Sequence, residues 1–304
     1  MGDDENHPLI AETLNVSTLC ASFHGGSSAS AINTVLGIDP QRAPTFMLAP
    51  RADGVLPALS ELRGLTTGKS GTLYVVNAYK DFSQILTFAP PAAAGQPWTF
   101  STIFAGGRSA QLFHPFCAVF GADGHLYVSN QDPNDQGSVA ITYYEGPTMK
   151  HPGTLKGVFV DGFLTLRGIA TNGTSWYVAD EGNSTTPGSV SIFDAKGKKQ
   201  SSFEVKQPVH LLYDGSRYLY IGSEKDNAVY QYDTTGTATS ASKFIESSHT
   251  VPIDHTGGLA ISNGNFYVAS RVGKAINEYP LTDPGAGRVY VSELADHPEF
   301  IAAL

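Results

Sequence analysis

Short apolar strands recur in pairs along this chain. In each pair, a first strand with an apolar centre is followed by a turn with Gly or Asp and then by a strand that carries an aromatic residue beside Val or Ile. The five pairs are 62–65 with 73–77, 115–119 with 126–130, 166–170 with 176–180, 208–212 with 219–223, and 256–260 with 266–270. Segments with alternating apolar residues follow, such as 189–193 and 228–232, and indicate further strands. Such self-similarity is typical of a repeat architecture.

The spacing of the pairs indicates the size of the repeat. The second residue of each first strand serves as a landmark position, and the landmarks are Arg63, Phe116, Arg167, Val209 and Gly257. Successive landmarks lie 53, 51, 42 and 48 residues apart. Four strands of about 5–6 residues plus their turns need roughly 40–50 residues, which is one antiparallel blade of a β-propeller.

The two ends of the chain complete the count of blades. Residues 298–302 match the first strand of a pair, with Glu299 at the landmark, and residues 19–23 can supply the missing second strand. We therefore predict an all-β, six-bladed β-propeller of four-stranded antiparallel blades, with residues 1–304 as a single domain. The C-terminal strand lies innermost in the sixth blade, and the N-terminal segment adds its outer strands and closes the ring. A two-domain sandwich gives no reason to divide one repeat between the termini.

Composition and charge narrow the classes of partner. The chain is 41% hydrophobic and 15% charged, which excludes a disordered chain or a coiled coil. The net charge is −9 and no basic cluster is denser than 196–199, so we expect no nucleic acid partner. No stretch approaches the ~20 apolar residues of a membrane span. We expect a monomer with a small-molecule ligand.

Localisation stays open between a secreted and a cytoplasmic protein. The acidic start 1–6 does not resemble an export signal, whereas the sequons at Asn15, Asn172 and Asn183 favour secretion. The two cysteines, Cys20 and Cys117, form either one disulfide or two buried thiols. Buried thiols are favoured because each cysteine lies in a predicted strand.

Two sets of residues are expected at one end of the propeller axis. Because the paired strands are antiparallel, the start of the first and the end of the second lie at the same end of a blade. The landmark residues, including Glu299, form the first set. The second set is Asn77, Asn130, Asp180, Ser223, Ser270 and Phe23, followed by Gln131, Glu181, Glu224, Arg271 and His24.

These sets contain the candidate chemistry. Arg63 and Arg167 can hold a carboxylate, an enolate or a phenolate, and Glu299 can act as a catalytic acid or base. The alternative is a structural ion pair that fills the axis. The predicted substrate-binding residues are Arg63, Arg167, Phe116, Asn77, Asn130, Asp180 and Arg271.

Three histidines, His114, His255 and His297, precede the first strands of their blades. Histidines that converge from different blades can bind a metal, but loop histidines more often face solvent or cap a strand. We predict that His255 or His297 is a single proton-transfer group beside Glu299.

The pair 166–170 and 176–180 resembles the NHL-type blade, Pro-x-Gly-Leu-Ala followed by Leu-Tyr-Val-Ala-Asp, and the resemblance covers most of the chain. Six-bladed relatives include gluconolactonase-like hydrolases, strictosidine synthase-like proteins, streptogramin lyase and the peptide amidating lyase. The resemblance implies that ligands bind in a funnel at one end of the axis. One fold hosts many chemistries, so function still depends on the site.

The same resemblance bears on cofactors. In the two lyases, functional histidines belong near the landmark, where this chain has Arg, Phe, Val, Gly or Glu. The gluconolactonase-like ligand set implies that Glu299, Asn130 and Asp180 would hold Ca²⁺ or a similar cation, if any. Nearby arginines and the turn-forming tendency of Asn and Asp argue against that site, so we favour no cofactor.

We therefore expect an enzyme that acts on a small organic molecule in the axial funnel by acid/base and electrostatic catalysis. The reaction classes are lyase, cyclase or lactone hydrolase. The alternative is a non-enzymatic propeller that binds a ligand or a protein.

Overall fold

The computed structural model describes residues 18–23, 32–78, 82–93, 96–107, 110–236, 238–246 and 248–304. Their strands form six sheets, and each sheet is one blade of a propeller, as predicted. The described residues contain no α-helix, and none of their helical turns could span a membrane. His24 and the sequon at Asn15 lie outside the described residues.

The strands follow the predicted order along the chain. Three outer strands of blade 6 come first: β1 (Leu19–Phe23), β2 (Val35–Ile38) and β3 (Thr45–Phe46). The short strand β4 (Leu48–Ala49) then adds a fifth, parallel strand to the outer edge of blade 1. Blade 1 itself consists of β5 (Leu62–Thr67), β6 (Leu73–Asn77), β7 (Gln84–Ala89) and β8 (Trp98–Gly106).

The next four blades each run from the axis outward in chain order. Blade 2 is β9 (Pro115–Phe120), β10 (Leu126–Asn130), β11 (Val139–Tyr144) and β12 (Leu155–Phe163). Blade 3 is β13 (Leu166–Thr171), β14 (Ser175–Asp180), β15 (Ser189–Asp194) and β16 (Lys199–Glu204). Blade 4 is β17 (Pro208–Tyr213), β18 (Tyr218–Ser223), β19 (Ala228–Asp233) and β20 (Ser242–Ile245). Blade 5 is β21 (Thr256–Ser262), β22 (Asn265–Ser270), β23 (Ala275–Pro280) and β24 (Arg288–Val291).

The ring closes through the C-terminal strand. Strand β25 (Pro298–Ala303) is innermost in blade 6 and pairs antiparallel with β1, with Leu19 opposite Ala303 and Ser22 opposite Phe300. It also contacts the inner strands of blades 5 and 1. The prediction that one blade is divided between the two termini is confirmed.

Alternating residues of each strand pack against opposite neighbouring blades. Leu73 and Val75 of β6 belong to the apolar cluster between blades 6 and 1, whereas Tyr74 and Val76 belong to the cluster between blades 1 and 2. Full burial of one such side chain contributes about 1.5–3 kcal/mol. Because both faces of a blade are covered, the second strands are apolar at nearly every position.

Both cysteines are buried and free, as the sequence favoured. Cys20 lies in β1 and Cys117 in β9. Burial raises the pKa of Cys20 to about 12 and that of Cys117 to about 11. Both thiols are therefore protonated at neutral pH and poorly reactive.

A β-bulge sits at the landmark of the inner strands. In blade 6, Phe23 pairs with Pro298 and Ser22 with Phe300, which leaves Glu299 as the extra residue. In blade 2, Pro115 pairs with Asn130 and Cys117 with Ser129, which leaves Phe116. A bulge redirects a side chain out of the regular alternation of a strand. The bulges therefore explain why landmark side chains meet across blades instead of joining the packing between them.

The residue after the landmark alternates in size around the ring. It is Gly64, Gly168 and Gly258 in blades 1, 3 and 5, and Cys117, His210 and Phe300 in blades 2, 4 and 6. The glycines allow neighbouring inner strands to approach closely, since a Cβ on Gly258 would lie 2.3 Å from the Ile301 nitrogen. The ring of Phe300 lies 5.0 Å from Phe116 and 4.2 Å from His210, so aromatic rings from alternate blades meet at the axis.

Candidate functional site

Polar and charged side chains from all six blades converge where the inner strands begin. We call this group the axial mouth. It consists of Glu61, Arg63, His114, Gln131, Arg167, Glu181, Glu224, Arg271 and Glu299, and the described contacts below join its members across blades.

Arg63 lies at the floor of the mouth and is only 3% exposed. Its Nη1 donates to Gln131 Oε1 at 2.6 Å, and its Nη2 lies 3.1 Å from His114 Nε2. Glu61 and Glu299 are 3.9 and 4.0 Å away. Burial lowers the pKa of Arg63, and the charge of Glu299 opposes that effect. The Ser22 hydroxyl donates to the Arg63 carbonyl and ties blade 6 to blade 1.

Glu299 lies between two arginines. Its side chain is 4% exposed, and its Oε2 is 3.1 Å from Arg271 Nε. Arg271 Nη1 also donates to Glu224 Oε1 at 2.7 Å. The charge of Glu299 is the main reason that the pKa of Arg271 is raised. Two guanidinium groups therefore favour the ionised form of this buried carboxylate.

Arg167 lies nearer to solvent, with 22% of its side chain exposed. Its Nε and Nη2 both contact the same oxygen, Oε2 of Glu181, at 2.6 and 2.5 Å. The guanidinium carbons of Arg167 and Arg63 lie 5.5 and 5.2 Å from the centre of the Phe116 ring. Both guanidinium groups thus lie over the Phe116 ring, an arrangement that cation–π attraction stabilises.

The mouth combines three arginines with four glutamates and one histidine. Removing such charges from water costs several kcal/mol per ion, so a buried ion network is weak evidence for stability. Active sites are where buried ionisable groups with close charged partners concentrate. The network therefore marks the mouth as the candidate functional site.

The second predicted set holds the loops that lead into the inner strands. Asn77 Oδ1 accepts a hydrogen bond from the Ser60 amide, and Asn130 Oδ1 accepts one from the Phe113 amide, each at 2.9 Å. Asp180 accepts hydrogen bonds from the amides of Leu164 and Thr165. Ser270 likewise accepts from the Asp254 amide, and Ser223 donates to the Lys206 carbonyl.

These bonds give Asn77, Asn130 and Asp180 a structural use, and their contact with a ligand stays a prediction. The same holds for the cation set of Glu299, Asn130 and Asp180. Among the described residues, no group of three or more His, Cys, Asp or Glu side chains is placed to hold a metal ion.

The two histidines predicted to move protons, His255 and His297, have described contacts with aspartates next to them in the chain. His255 has half of its side chain exposed, and its Nδ1 lies 3.0 Å from Asp254 Oδ1. His297 is partly buried, and its amide donates to Asp296. The ring of His255 thus pairs with its own neighbour in the chain, and only the backbone amide of His297 takes part in a described hydrogen bond. Their catalytic role stays a prediction.

The structure brings into the mouth residues that the predicted catalytic and substrate-binding sets leave out. His114 contacts Arg63, and Glu61 contacts His114 at 3.0 Å. Glu181 and Glu224 pair with Arg167 and Arg271. The sequence does contain a signal for Glu61 and His114, because both occupy the same position in consecutive blades, two residues before the landmark.

Comparisons with known proteins support the fold. No protein-family model matches the chain, and no characterised protein matches it by sequence. A chain in the crystal structure of the nidogen/laminin complex is similar with a TM-score of 0.64 and 12% identity, over 94% of this chain and 98% of that chain. Virginiamycin B lyase from Staphylococcus aureus is similar with a TM-score of 0.51 and 14% identity, over 79% of this chain and 74% of that one. At these identities the likeness shows the propeller fold alone.

Proposed function

We propose that the axial mouth binds a small organic molecule and opens or closes a ring in it by acid/base and electrostatic catalysis. The observation that carries this proposal is the carboxylate of Glu299, 4% exposed and flanked by Arg63 and Arg271 below a more accessible rim. In water-excluded surroundings, fixed charges stabilise a developing charge far better than they do in water.

Glu299 is the base in this proposal. It takes a proton from a carbon next to a carbonyl group, and the electron pair of that C–H bond forms a double bond as the ring C–O bond breaks. The arginines keep Glu299 ionised, so that it can accept the proton. The same carboxylate can instead take a proton from an attacking water, which gives lactone hydrolysis.

Arg167 is the group that holds negative charge on the substrate. Its Nε and its Nη2 each contact Glu181, and no described contact uses its Nη1. A guanidinium group has five N–H donors, so donors remain for an enolate or a carboxylate. Its 22% exposure places it within reach of a ligand from solvent.

Elimination is the reaction to test first, because one of the similar folds belongs to virginiamycin B lyase. The probes are virginiamycin B and a simple lactone, followed by mass spectrometry. Elimination opens a ring without a change in mass, whereas hydrolysis adds one molecule of water. We expect the wild-type protein to open at least one probe.

Two substitutions and a matched control test the site. Glu299→Gln should lower turnover by about 10²–10⁴-fold because it removes the base. Arg167→Ala should lower it by about 10²–10³-fold because it removes the charge stabilisation. Arg217→Ala, which removes an exposed ion pair to Asp233 away from the mouth, should leave turnover unchanged. Equal turnover in all four proteins would show that the mouth is not the active site.

A second function is favoured by one comparison. The chain from the nidogen/laminin complex is similar over almost the entire length of both chains. A propeller of this kind can serve as a protein-binding module without catalysis. If the wild-type protein opens neither probe and neither probe binds it in calorimetry, this second function becomes the better proposal.

A further inference from the structure

His114 meets charged groups from two blades at the edge of the mouth. Its Nε2 lies 3.0 Å from Glu61 Oε2 and 3.1 Å from Arg63 Nη2, both on blade 1. Its Nδ1 lies 3.5 Å from Oδ1 of Asp132, on its own blade. The side chain is 17% exposed, so it is enclosed by these groups yet open to solvent at one edge.

The two contacts at Nε2 require opposite protonation states. Arg63 only donates hydrogen bonds, so it bonds to Nε2 only when that nitrogen carries no proton. Glu61, when ionised, only accepts, so it bonds to Nε2 only when that nitrogen is protonated. Asp132 favours a proton on Nδ1 in both states. Protonation of Nε2 therefore replaces the hydrogen bond from Arg63 with a hydrogen bond to Glu61. Nε2 thus has a hydrogen-bond partner in both forms of the ring.

The equivalent histidine of blade 5 shows that position alone does not create this arrangement. His114 and His255 both precede their landmark by two residues and share a left-handed backbone, with φ of 53° and 55°. His255 faces solvent beside Asp254. His114 differs because the bulged Arg63 and Glu61 of the neighbouring blade reach it.

We infer that His114 is the proton donor of the axial mouth, an inference that rests on the proposed function. Glu299 takes the proton from carbon, and His114 gives its Nε2 proton to the oxygen that leaves when the C–O bond breaks. The electron pair of that bond passes to the oxygen, and the neutral ring then accepts a hydrogen bond from Arg63. The acid and the base of the reaction are thus separate groups, linked through one arginine.

The first test is chemical rescue of His114→Gly. Glycine tolerates a positive φ, so this variant should fold while it leaves a slot the size of the lost ring. Turnover of the probe that the wild type opens should fall by about 10²–10⁴-fold, and added imidazole should restore part of it with saturation. His125→Gln is the control, because His125 also pairs with an aspartate at 3.0 Å but lies in the turn at the opposite end of blade 2. Unchanged turnover, or a loss without rescue, would overturn the inference.

His255→Gln tests the competing assignment on the same probe. If that substitution abolishes turnover while His114→Gly does not, His255 is the proton-transfer group and our inference is wrong. Loss in His114→Gly with near-normal turnover in His255→Gln supports it.

A second readout needs no substrate and separates this inference from the proposed function. In the neutral form of the His114 ring, ¹⁵N NMR should show the proton on Nδ1, beside Asp132, and none on Nε2, beside Arg63. A neutral ring with its proton on Nε2 would overturn the inference. If neither probe is opened but Nε2 is the exchanging nitrogen, the proposed function fails while His114 remains the proton-exchanging group of the mouth.

Discussion

At the scale of single residues, His210 is a buried polar side chain near the axis whose ring makes no hydrogen bond with the described residues. It is 7% exposed, and neither ring nitrogen has a hydrogen-bond partner among the described residues. Burial lowers its pKa to about 4, although the charge of Glu299 acts in the opposite direction. The corresponding residues of blades 2 and 6 are Cys117 and Phe300, so the position itself accepts apolar side chains.

This burial predicts a pH dependence of stability. Between pH about 6.5 and about 4 the unfolded chain protonates His210 while the folded chain does not, so the free energy of unfolding falls as the pH drops. The part due to His210 is about 3 kcal/mol across that window. His210→Leu should remove this part and leave stability at pH 7 unchanged or higher. Urea unfolding at pH 7 and at pH about 4 measures this loss of stability, with the substitution His151→Gln at an exposed histidine as control.

A wild-type protein and a His210→Leu variant with the same loss of stability on acidification would contradict this expectation. Equal loss would mean that the folded state protonates His210 as readily as the unfolded state does.

At the scale of the elements, the glycines after the landmark set the distance between neighbouring inner strands. A Cβ on Gly258 would lie 2.3 Å from the Ile301 nitrogen, and one on Gly168 would lie 2.7 Å from the Val209 oxygen. On Gly64 the nearest atoms are 3.1 Å away. The contacts are with backbone, which cannot move without separating two blades.

Alanine substitutions should therefore destabilise the propeller in a graded order. Gly258→Ala should cost most, Gly168→Ala less and Gly64→Ala least, within the about 1–3 kcal/mol typical of overpacking. The free energy of unfolding in urea checks the order. An equal cost at all three positions would contradict it, because backbone entropy alone affects them alike. Gly54→Ala is a different control, since Gly54 has open space but a positive φ of 82°.

At the scale of the whole molecule, one strand pair joins the two ends of the chain. Strand β25 pairs with β1 and so completes blade 6 and the ring. Until this pair forms, both strands expose unpaired edges. The stability of the ring should therefore depend on this closure.

A cross-link between β1 and β25 tests that dependence. Cys20 lies opposite Ala302, and residues directly opposite in antiparallel strands have Cα atoms about 4.5–5.5 Å apart, within reach of a disulfide. Oxidised Ala302→Cys should be stabilised by about 2–4 kcal/mol and should lose the gain on reduction. Thermal melts with and without reductant measure it, and Ala302→Ser is the control. A disulfide confirmed by mass that leaves the melt unchanged would show that closure does not limit stability.

Much of the fold followed from the sequence because burial is periodic. The strands of a blade are covered on both faces, so the apolar pattern repeats with each blade and can be counted. The landmark residues were also identifiable, since a charged residue such as Arg63 or Arg167 interrupts an apolar strand at a fixed position. The fifth strand of blade 1, β4, was missed because two residues carry no periodic signal.

The partners of those charges were decided by the tertiary structure alone. Arg63 bonds to Gln131, 68 residues away, and His114 contacts Glu61, 53 residues away, because bulged strands from different blades meet at the axis. The sequence shows that His114 and His255 occupy equivalent positions, but not that the ring of His114 contacts Arg63 and Glu61 of the neighbouring blade while the ring of His255 pairs with the adjacent Asp254. Repetition along the chain determines the blades, whereas side-chain geometry between blades determines the site.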